Sequence, residues 1–156
     1  MNLGKELVEK AHFDGTYDFR EPLGEPKLAR RVGRKMENRI LNHDVYQAVG
    51  QGLGAYPLVG AITSSSGEVR GGMVRKTRKG YDRNRMVEGP IDRSEPCVLV
   101  EDLANSGRGM RLALKACRKE GLRVVGAQAI AVLNSPESAE QKMRRCGIWF
   151  DALYQI

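Results

Sequence analysis

The chain has 156 residues, 41% of them hydrophobic and 29% charged, which suits one globular domain with a single sizeable core and excludes a disordered chain. No apolar stretch approaches the roughly 18 residues of a membrane span, and the opening Met-Asn-Leu-Gly-Lys-Glu lacks the basic-then-apolar layout of a signal peptide, so a cytoplasmic protein without a membrane partner is expected. Lys and Arg outnumber Asp and Glu by 26 to 19, a net charge of +7; this fits a phosphorylated substrate, a nucleic acid or an anionic surface and chooses none of them.

Residues 3–11 read as a short amphipathic helix, and the Gly- and Pro-rich stretch 12–25 as a loop or hairpin. Pro26 suits the first turn of a helix to about Leu41, whose apolar stripe is Leu28, Val32, Met36 and Ile40. Residues 44–49 suggest a short strand, with Gly50, Gly52 and Gly54 directly after it and a helix from Ala55 to about Ser64. A second strand is expected over 69–76, then a long polar loop over 77–95. Cys97–Val100 is a continuous apolar run, as in a strand buried on both faces, and Glu101-Asp102 end it. Leu103–Gly109 form a small-residue loop before a helix from Met110 to Glu120, with Gly121 as its stop. Arg123–Leu133 reads as another buried strand. Ser135-Pro136 read as the cap and first residue of a helix to about Arg145, and Ile148–Phe150 with Leu153-Tyr154 as a last strand. Strands alternating with helices predict an α/β fold with a central, mostly parallel β-sheet flanked by helices.

Cys97, Cys117 and Cys146 form no CxxC pair and read as small buried hydrophobes, and His12 and His43 lack the neighbours a zinc site needs. Chemistry concentrates elsewhere. In open parallel sheets ligands bind beyond the carboxyl ends of the strands. Glu101 and Asp102 sit at such an end, where adjacent carboxylates can accept hydrogen bonds from vicinal ribose hydroxyls or hold Mg²⁺ directly or through water. The loop after them, Ala104-Asn105-Ser106-Gly107-Arg108-Gly109, opens onto a helix N-terminus, whose free N–H groups and dipole favour a phosphate. One segment thus offers a hydroxyl site beside a phosphate site.

Arg75, Lys76, Arg78, Lys79, Arg83 and Arg85 make a dense cationic loop. Its aromatic content is limited to Tyr81, so nucleic acid is not the expected partner. Gly50-Gln51-Gly52-Leu53-Gly54-Ala55 can close bare backbone N–H groups around an anion. It also satisfies the dinucleotide pattern G-x-G-x-x-A; there Arg75 would have to serve a 2′-phosphate, because no acid stands at the end of the next strand.

Val98-Leu-Val-Glu-Asp-Leu-Ala-Asn-Ser-Gly-Arg-Gly109 resembles the phosphoribosyl diphosphate (PRPP) signature of type I phosphoribosyltransferases. Val74-Arg-Lys-Thr-Arg-Lys-Gly-Tyr81 is similar to the mobile loop of the orotate phosphoribosyltransferase branch, and Val87-Glu-Gly89 to the segment immediately after that loop. Tyr17–Arg20 with the helix from Pro26 resembles the segment after that branch's N-terminal hood, and Gly50–Pro57 its pyrophosphate loop. The resemblance implies a single domain over residues 1–156, with a reduced hood over 1–25 and a core over 26–156. It implies an Mg²⁺- and PRPP-dependent enzyme, a homodimer, that acts on orotate or another nucleobase in pyrimidine nucleotide metabolism. Glu101 and Asp102 would hold the ribose hydroxyls. Asn105, Ser106, Gly107, Arg108 and Gly109 would hold the 5′-phosphate, and Gly50, Gln51, Gly52, Leu53 and Gly54 the pyrophosphate. Arg75, Lys76 and Lys79 would meet the leaving group, with Lys76, Lys79 and Asp102 as the catalytic set.

The pattern also has departures. Asn105, Arg108 and Gly109 stand where the family has Thr, Gly and a hydroxyl residue. Asn134-Ser135 come after the strand ending at Leu133, where orotate enzymes continue Asp-Arg. No lysine lies between Gly50 and Pro57, and Asp82 replaces a Gly after the mobile loop. These differences leave a second reading, a non-catalytic protein of the same fold that binds PRPP or a nucleotide and regulates.

Overall fold

A computed structural model of the protein describes residues 2–78, 80, 85–135 and 138–156. Helix α1 (Leu3–Ala11) starts where the Asn2 side chain accepts from the Gly4 amide at 2.8 Å. A hairpin comes next, β1 (His12–Phe13) and β2 (Thr16–Tyr17), turned by Asp14 and Gly15, both at positive φ. Asp-Gly is the pair that a tight hairpin of the native twist favours. A short helix α2 (Arg20–Leu23), which local periodicity does not announce, leads into α3 (Pro26–Leu41), with Pro26 in its first turn. Leu28, Val32, Met36 and Ile40 are all fully buried, so the four-residue stripe does face the core.

The remaining elements build the main sheet: β3 (Gln47–Gln51), α4 (Ala55–Thr63), β4 (Arg70–Val74), β5 (Val87–Glu88), β6 (Pro96–Ala104), α5 (Arg108–Lys119), β7 (Arg123–Val132), α6 (Ala139–Arg145) and β8 (Trp149–Gln155). The strand order is β5-β4-β3-β6-β7-β8. Five strands are parallel, and β5 pairs antiparallel with β4 at one edge. The α/β architecture with a mostly parallel sheet is therefore the observed one. No helix among the described residues is long and apolar enough to cross a membrane.

The sheet separates two cores. Val98 and Val100 of β6 pack with Leu7, Phe19, Leu28, Met36, Leu58 and Ile62 from α1 to α4. Cys97 and Leu99 face the other way, onto Met110, Leu114 and Cys117 of α5 and Met143 of α6. Period-two alternation of an all-apolar run feeds both layers, which is why β6 lacks a polar face. Burial pushes the Cys97 and Cys117 thiols up to about 12, in keeping with small hydrophobes rather than nucleophiles.

Several boundaries move. β6 does not end at Glu101-Asp102 but runs on to Ala104, because Glu101, Leu103 and Ala104 stay in register with Ala129, Ala131 and Val132 of β7. The loop after it shrinks to 105–107, and α5 begins at Arg108 rather than Met110. Gly50 and Gln51 belong to β3, so the glycine loop proper is Gly52–Gly54. The loop over 77–95 contains the short edge strand β5. The last helix is capped by Ser138, not Ser135: the Ser138 hydroxyl accepts from the Gln141 amide at 3.2 Å and the Gln141 side chain accepts from the Ser138 amide at 3.3 Å. That reciprocal capping box satisfies two amides that a cap at Ser135 would leave to the solvent; Pro136 itself lies outside the described residues.

Candidate functional site

Strands β3 and β6 are parallel neighbours, with Ala48, Val49 and Gly50 opposite Val98, Leu99 and Val100. Their connections leave in opposite directions, one to α4 and the other to α5 on the far side of the sheet. The crevice at this switch of direction is where an open α/β sheet binds ligands. The register brings the glycine loop after β3 beside the acid pair near the end of β6.

That contact is close. A Cβ placed on Gly54 would lie 2.1 Å from Asp102 Oδ2, so glycine alone at position 54 leaves the carboxylate its place. The Asp102 amide donates to Glu101 Oε1 at 3.1 Å. The two acids then serve different spaces. Glu101 borders a cavity of about 160 Å³ with Leu103 and residues 104–110. Asp102 borders a larger one, about 660 Å³, with Gly54 and Leu53. Burial first and the Asp102 carboxylate second raise the Glu101 pKa well above the usual carboxylate range, while the Asp102 amide and Lys76 act in the opposite sense. An acid held in this state gains from any ligand that brings it a donor or a cation.

The small cavity has the form expected of an anion cradle. Gly107 adopts φ 71° immediately before α5, and a Cβ there would come within 2.9 Å of Ala139 Cα at the start of α6. The loop is thus clamped against α6 by a residue that has no side chain. The first amides of α5 have no acceptor within the helix and point along its positive end. Asn105, Arg108 and Gly109 are exposed, and Ser106 is half-buried.

The basic segment lies across the crevice. Lys76 borders the 660 Å³ cavity, a second of about 470 Å³ shared with Gly52, Leu53, Tyr56, Met73, Arg75 and Glu88, and a third of about 330 Å³ against α5. It is the residue at which these spaces meet. A Cβ on Gly52, which has φ 90°, would sit 3.7 Å from Lys76 Cε, so the lysine lies over the glycine loop. Arg75 points instead toward Glu88, 3.5 Å away, and its amide donates to the Met86 carbonyl at 2.7 Å. Gln51 Nε2 donates to the Arg75 carbonyl at 3.3 Å and the Tyr56 hydroxyl to the Val74 carbonyl at 2.9 Å; both tie the root of the segment to the glycine loop and α4. Arg78 reaches away to Glu120 at the end of α5, at 2.6 Å. Lys79, Tyr81 and Arg83 lie outside the described residues.

Glu101, Asp102, Lys76 and the glycine loop therefore converge on one crevice. Only the resemblance, whose N-terminal hood touches the base and is shortened here around Asp14–Tyr17, points to the hairpin side of it: Phe13, Thr16, Tyr17, Asp18 and Arg20 line the 660 Å³ cavity opposite Asp102. The available signal was Asp14-Gly15 between two short alternating segments, a hairpin whose tip must lie against something. Among the described residues no group of three or more His, Cys, Asp or Glu side chains gathers as a metal cage would require. Two adjacent carboxylates suffice for an ion that reaches the site on a phosphorylated ligand, since Mg²⁺ takes one or two carboxylates together with phosphate oxygens and water.

No family model matches the chain. It is similar to the orotate phosphoribosyltransferase of Methanopyrus kandleri, 30% identical over 135 residues that span 86% of this chain and 70% of that protein. The orotate phosphoribosyltransferase of Aquifex aeolicus is 27% identical over 143 residues, 89% of this chain and 77% of that one. Among solved structures, a phosphoribosyltransferase from Corynebacterium diphtheriae superposes with a TM-score of 0.87 at 24% identity, covering 98% of this chain and 93% of the other. The orotate phosphoribosyltransferase of Mycobacterium tuberculosis in complex with PRPP gives a TM-score of 0.83 at 21% identity, covering 99% and 87%. These structural likenesses show the fold.

Proposed function

The chain belongs to the orotate phosphoribosyltransferase family, and from that membership we infer that it is a PRPP-dependent phosphoribosyltransferase of pyrimidine nucleotide metabolism, transferring the 5-phosphoribosyl group to a nucleobase. The observation that carries the reading is the placement of the acid pair: Asp102 seated against Gly54 on one side and Glu101 bordering the helix-capped cradle on the other. PRPP has the same order of groups, a 5′-phosphate, two ring hydroxyls and a pyrophosphate.

In this reading the 5′-phosphate enters the cradle of Asn105, Ser106, Gly107, Arg108 and Gly109, where helix amides supply most of the donors and Arg108 supplies charge that a hydroxyl would not. Glu101 and Asp102 accept from the ribose hydroxyls. The pyrophosphate lies along Gly52–Gly54 and the end of β3 at Gly50 and Gln51, under Lys76. As the bond from the anomeric carbon to pyrophosphate breaks, the ring becomes oxocarbenium-like and negative charge gathers on the leaving oxygens. Lys76, Arg75 and Lys79 act there because a cation fixed where charge develops stabilises the transition state more than the ground state. Mg²⁺, if bound by Glu101 and Asp102 directly or through water, would neutralise further pyrophosphate charge. Closing the basic segment over the crevice excludes water that would otherwise capture the cation.

The acceptor base belongs in the 660 Å³ cavity, between the hairpin and Asp102. A homodimer is part of the proposal: Leu53 and Met73 are 72% and 44% exposed beside the root of the basic segment, an apolar surface that a second copy would cover. The Asp102→Asn variant tests the central claim. It should retain its circular dichroism spectrum and melting cooperativity while PRPP affinity in calorimetry falls by about 1.5–3 kcal/mol, the worth of hydrogen bonds to a charged group. Unchanged affinity would remove the ribose role of the pair. Saturable PRPP binding by the wild type, with no pyrophosphate released from PRPP in the presence of any base, would replace the enzyme with a PRPP-binding regulator.

A further inference from the structure

Helix α5 carries five basic residues, Arg108, Arg111, Lys115, Arg118 and Lys119, and no acidic one. Several have a local reason. Arg108 borders the phosphate cradle, Arg118 Nη2 donates to the Cys146 carbonyl at 2.7 Å, and a cation at position 119 suits the negative end of the helix. Lys115 has no such reason. It stands mid-helix with Arg111 one turn before it and Lys119 one turn after it, a spacing at which like charges repel. Among the described residues no ion pair relieves Lys115 or Lys119, and Glu120, the acid next in the chain, is taken by Arg78 at 2.6 Å and Arg93 at 3.9 Å. Both lysines face the basic segment across the cavity of about 330 Å³, whose other wall holds Lys76 and Arg78. Its charged lining is therefore wholly positive. Its apolar part is Leu112, 54% exposed, and the half-buried Met86.

We propose that this cavity is a second anion site, apart from the PRPP crevice, and that it takes a nucleoside triphosphate. The phosphates meet Lys115, Lys119 and Lys76, and the base lies on Leu112 and Met86. Several fixed cations with no acid among them favour a ligand of several negative charges. An exposed apolar side chain beside them favours a ligand that also has a flat, poorly hydrated part. The volume falls at the small end of the range for small-molecule pockets, roughly 300–1,000 Å³. Lys76 borders this cavity and also both cavities on the catalytic side, so a triphosphate here draws on the cation assigned to the leaving group. The coupling is negative and reciprocal: each ligand weakens the other by the same factor. That coupling rests on the reading of the crevice as a PRPP site, whereas the second site itself does not.

The test is calorimetry on the full-length protein with ATP, UTP and inorganic tripolyphosphate at fixed free Mg²⁺. ATP and UTP should bind saturably both without PRPP and with PRPP at saturation, and more tightly than tripolyphosphate. The double variant Lys115→Gln, Lys119→Gln should keep its circular dichroism spectrum and its PRPP affinity. It should bind ATP about tenfold more weakly, the order expected of two exposed charge pairs. If it does not fold, Lys115→Gln alone decides, at about threefold. In the wild type, rising ATP should weaken PRPP to a plateau of about fivefold, as two coupled sites require. Unchanged ATP affinity in the folded variant overturns the proposal. So does a PRPP affinity that falls without limit as ATP rises, which would put ATP in the PRPP crevice. Tripolyphosphate bound as tightly as ATP overturns the nucleoside part. Absence of PRPP binding by the wild type overturns the transferase reading and the coupling with it, while the ATP titrations of wild type and variant still decide the second site.

Discussion

At position 54 a single methyl group separates a working carboxylate from a displaced one. The Cβ of an alanine would stand 2.1 Å from Asp102 Oδ2, yet the obstacle is the end of a side chain that can rotate away. Gly54→Ala should therefore change the melting temperature little while it abolishes PRPP binding measured by calorimetry. A variant that binds PRPP normally would show that Asp102 needs no fixed position. The same scale explains a limit of sequence reasoning. Glu101 and Asp102 were legible as an acid pair, but their division between two cavities was not, because it depends on which loop each strand position faces. Arg20 and Asp18 were visible only as part of a resemblance: their two-point pair is local, between residues two apart, but its place opposite Asp102 arises from tertiary contact.

Among the elements, those with strong periodicity or capping chemistry were legible. The stripe of α3 and its Pro26 start are local properties of the chain, and so is the apolar run of β6. The element ends were less so. β6 extends past its acid pair because β7 offers partners to Glu101 and Leu103, a pairing energy that no local rule contains. The α6 cap moved to Ser138 for a related reason: Gln141 stands three residues after it and completes the box. This helix also closes the phosphate cradle, through Ala139 against Gly107. Ser138→Ala should cost about 1 kcal/mol, as loss of a side-chain N-cap typically does, and should also weaken PRPP affinity by loosening the cradle wall. A denaturant titration with parallel calorimetry checks both; a stability loss with unchanged PRPP affinity would separate α6 from the site.

For the whole molecule, the site draws on folding stability. Burial and Asp102 raise the Glu101 pKa well above the usual carboxylate range, whereas in the unfolded chain it ionises near its reference value of about 4.3. Between these values the unfolded state binds fewer protons than the folded one, so this group makes stability fall as pH rises. Glu101→Gln, which keeps an acceptor for the Asp102 amide and removes the charge, should raise the melting temperature of the ligand-free, chelator-treated protein at pH 7.5. The gain should vanish toward pH 4, where both forms are neutral. Equal melting temperatures across that range would mean that Glu101 is hydrated in the folded state. The same variant should bind PRPP more weakly, as expected where a site keeps a group that the fold alone would disfavour.

The sequence by itself determined the class of the fold, the apolar faces, the acid pair with its small-residue loop and the abundance of cations, because each depends on residue types at short spacing. Only the tertiary structure decided which of these groups meet. The parallel register of β3 against β6 sets Gly54 under Asp102, and the hairpin of residues 12–17 brings Phe13 and Tyr17 over the same cavity. Those arrangements depend on strands and loops far apart in the chain being packed side by side, and a cavity's charge balance is a sum over residues that only packing assembles.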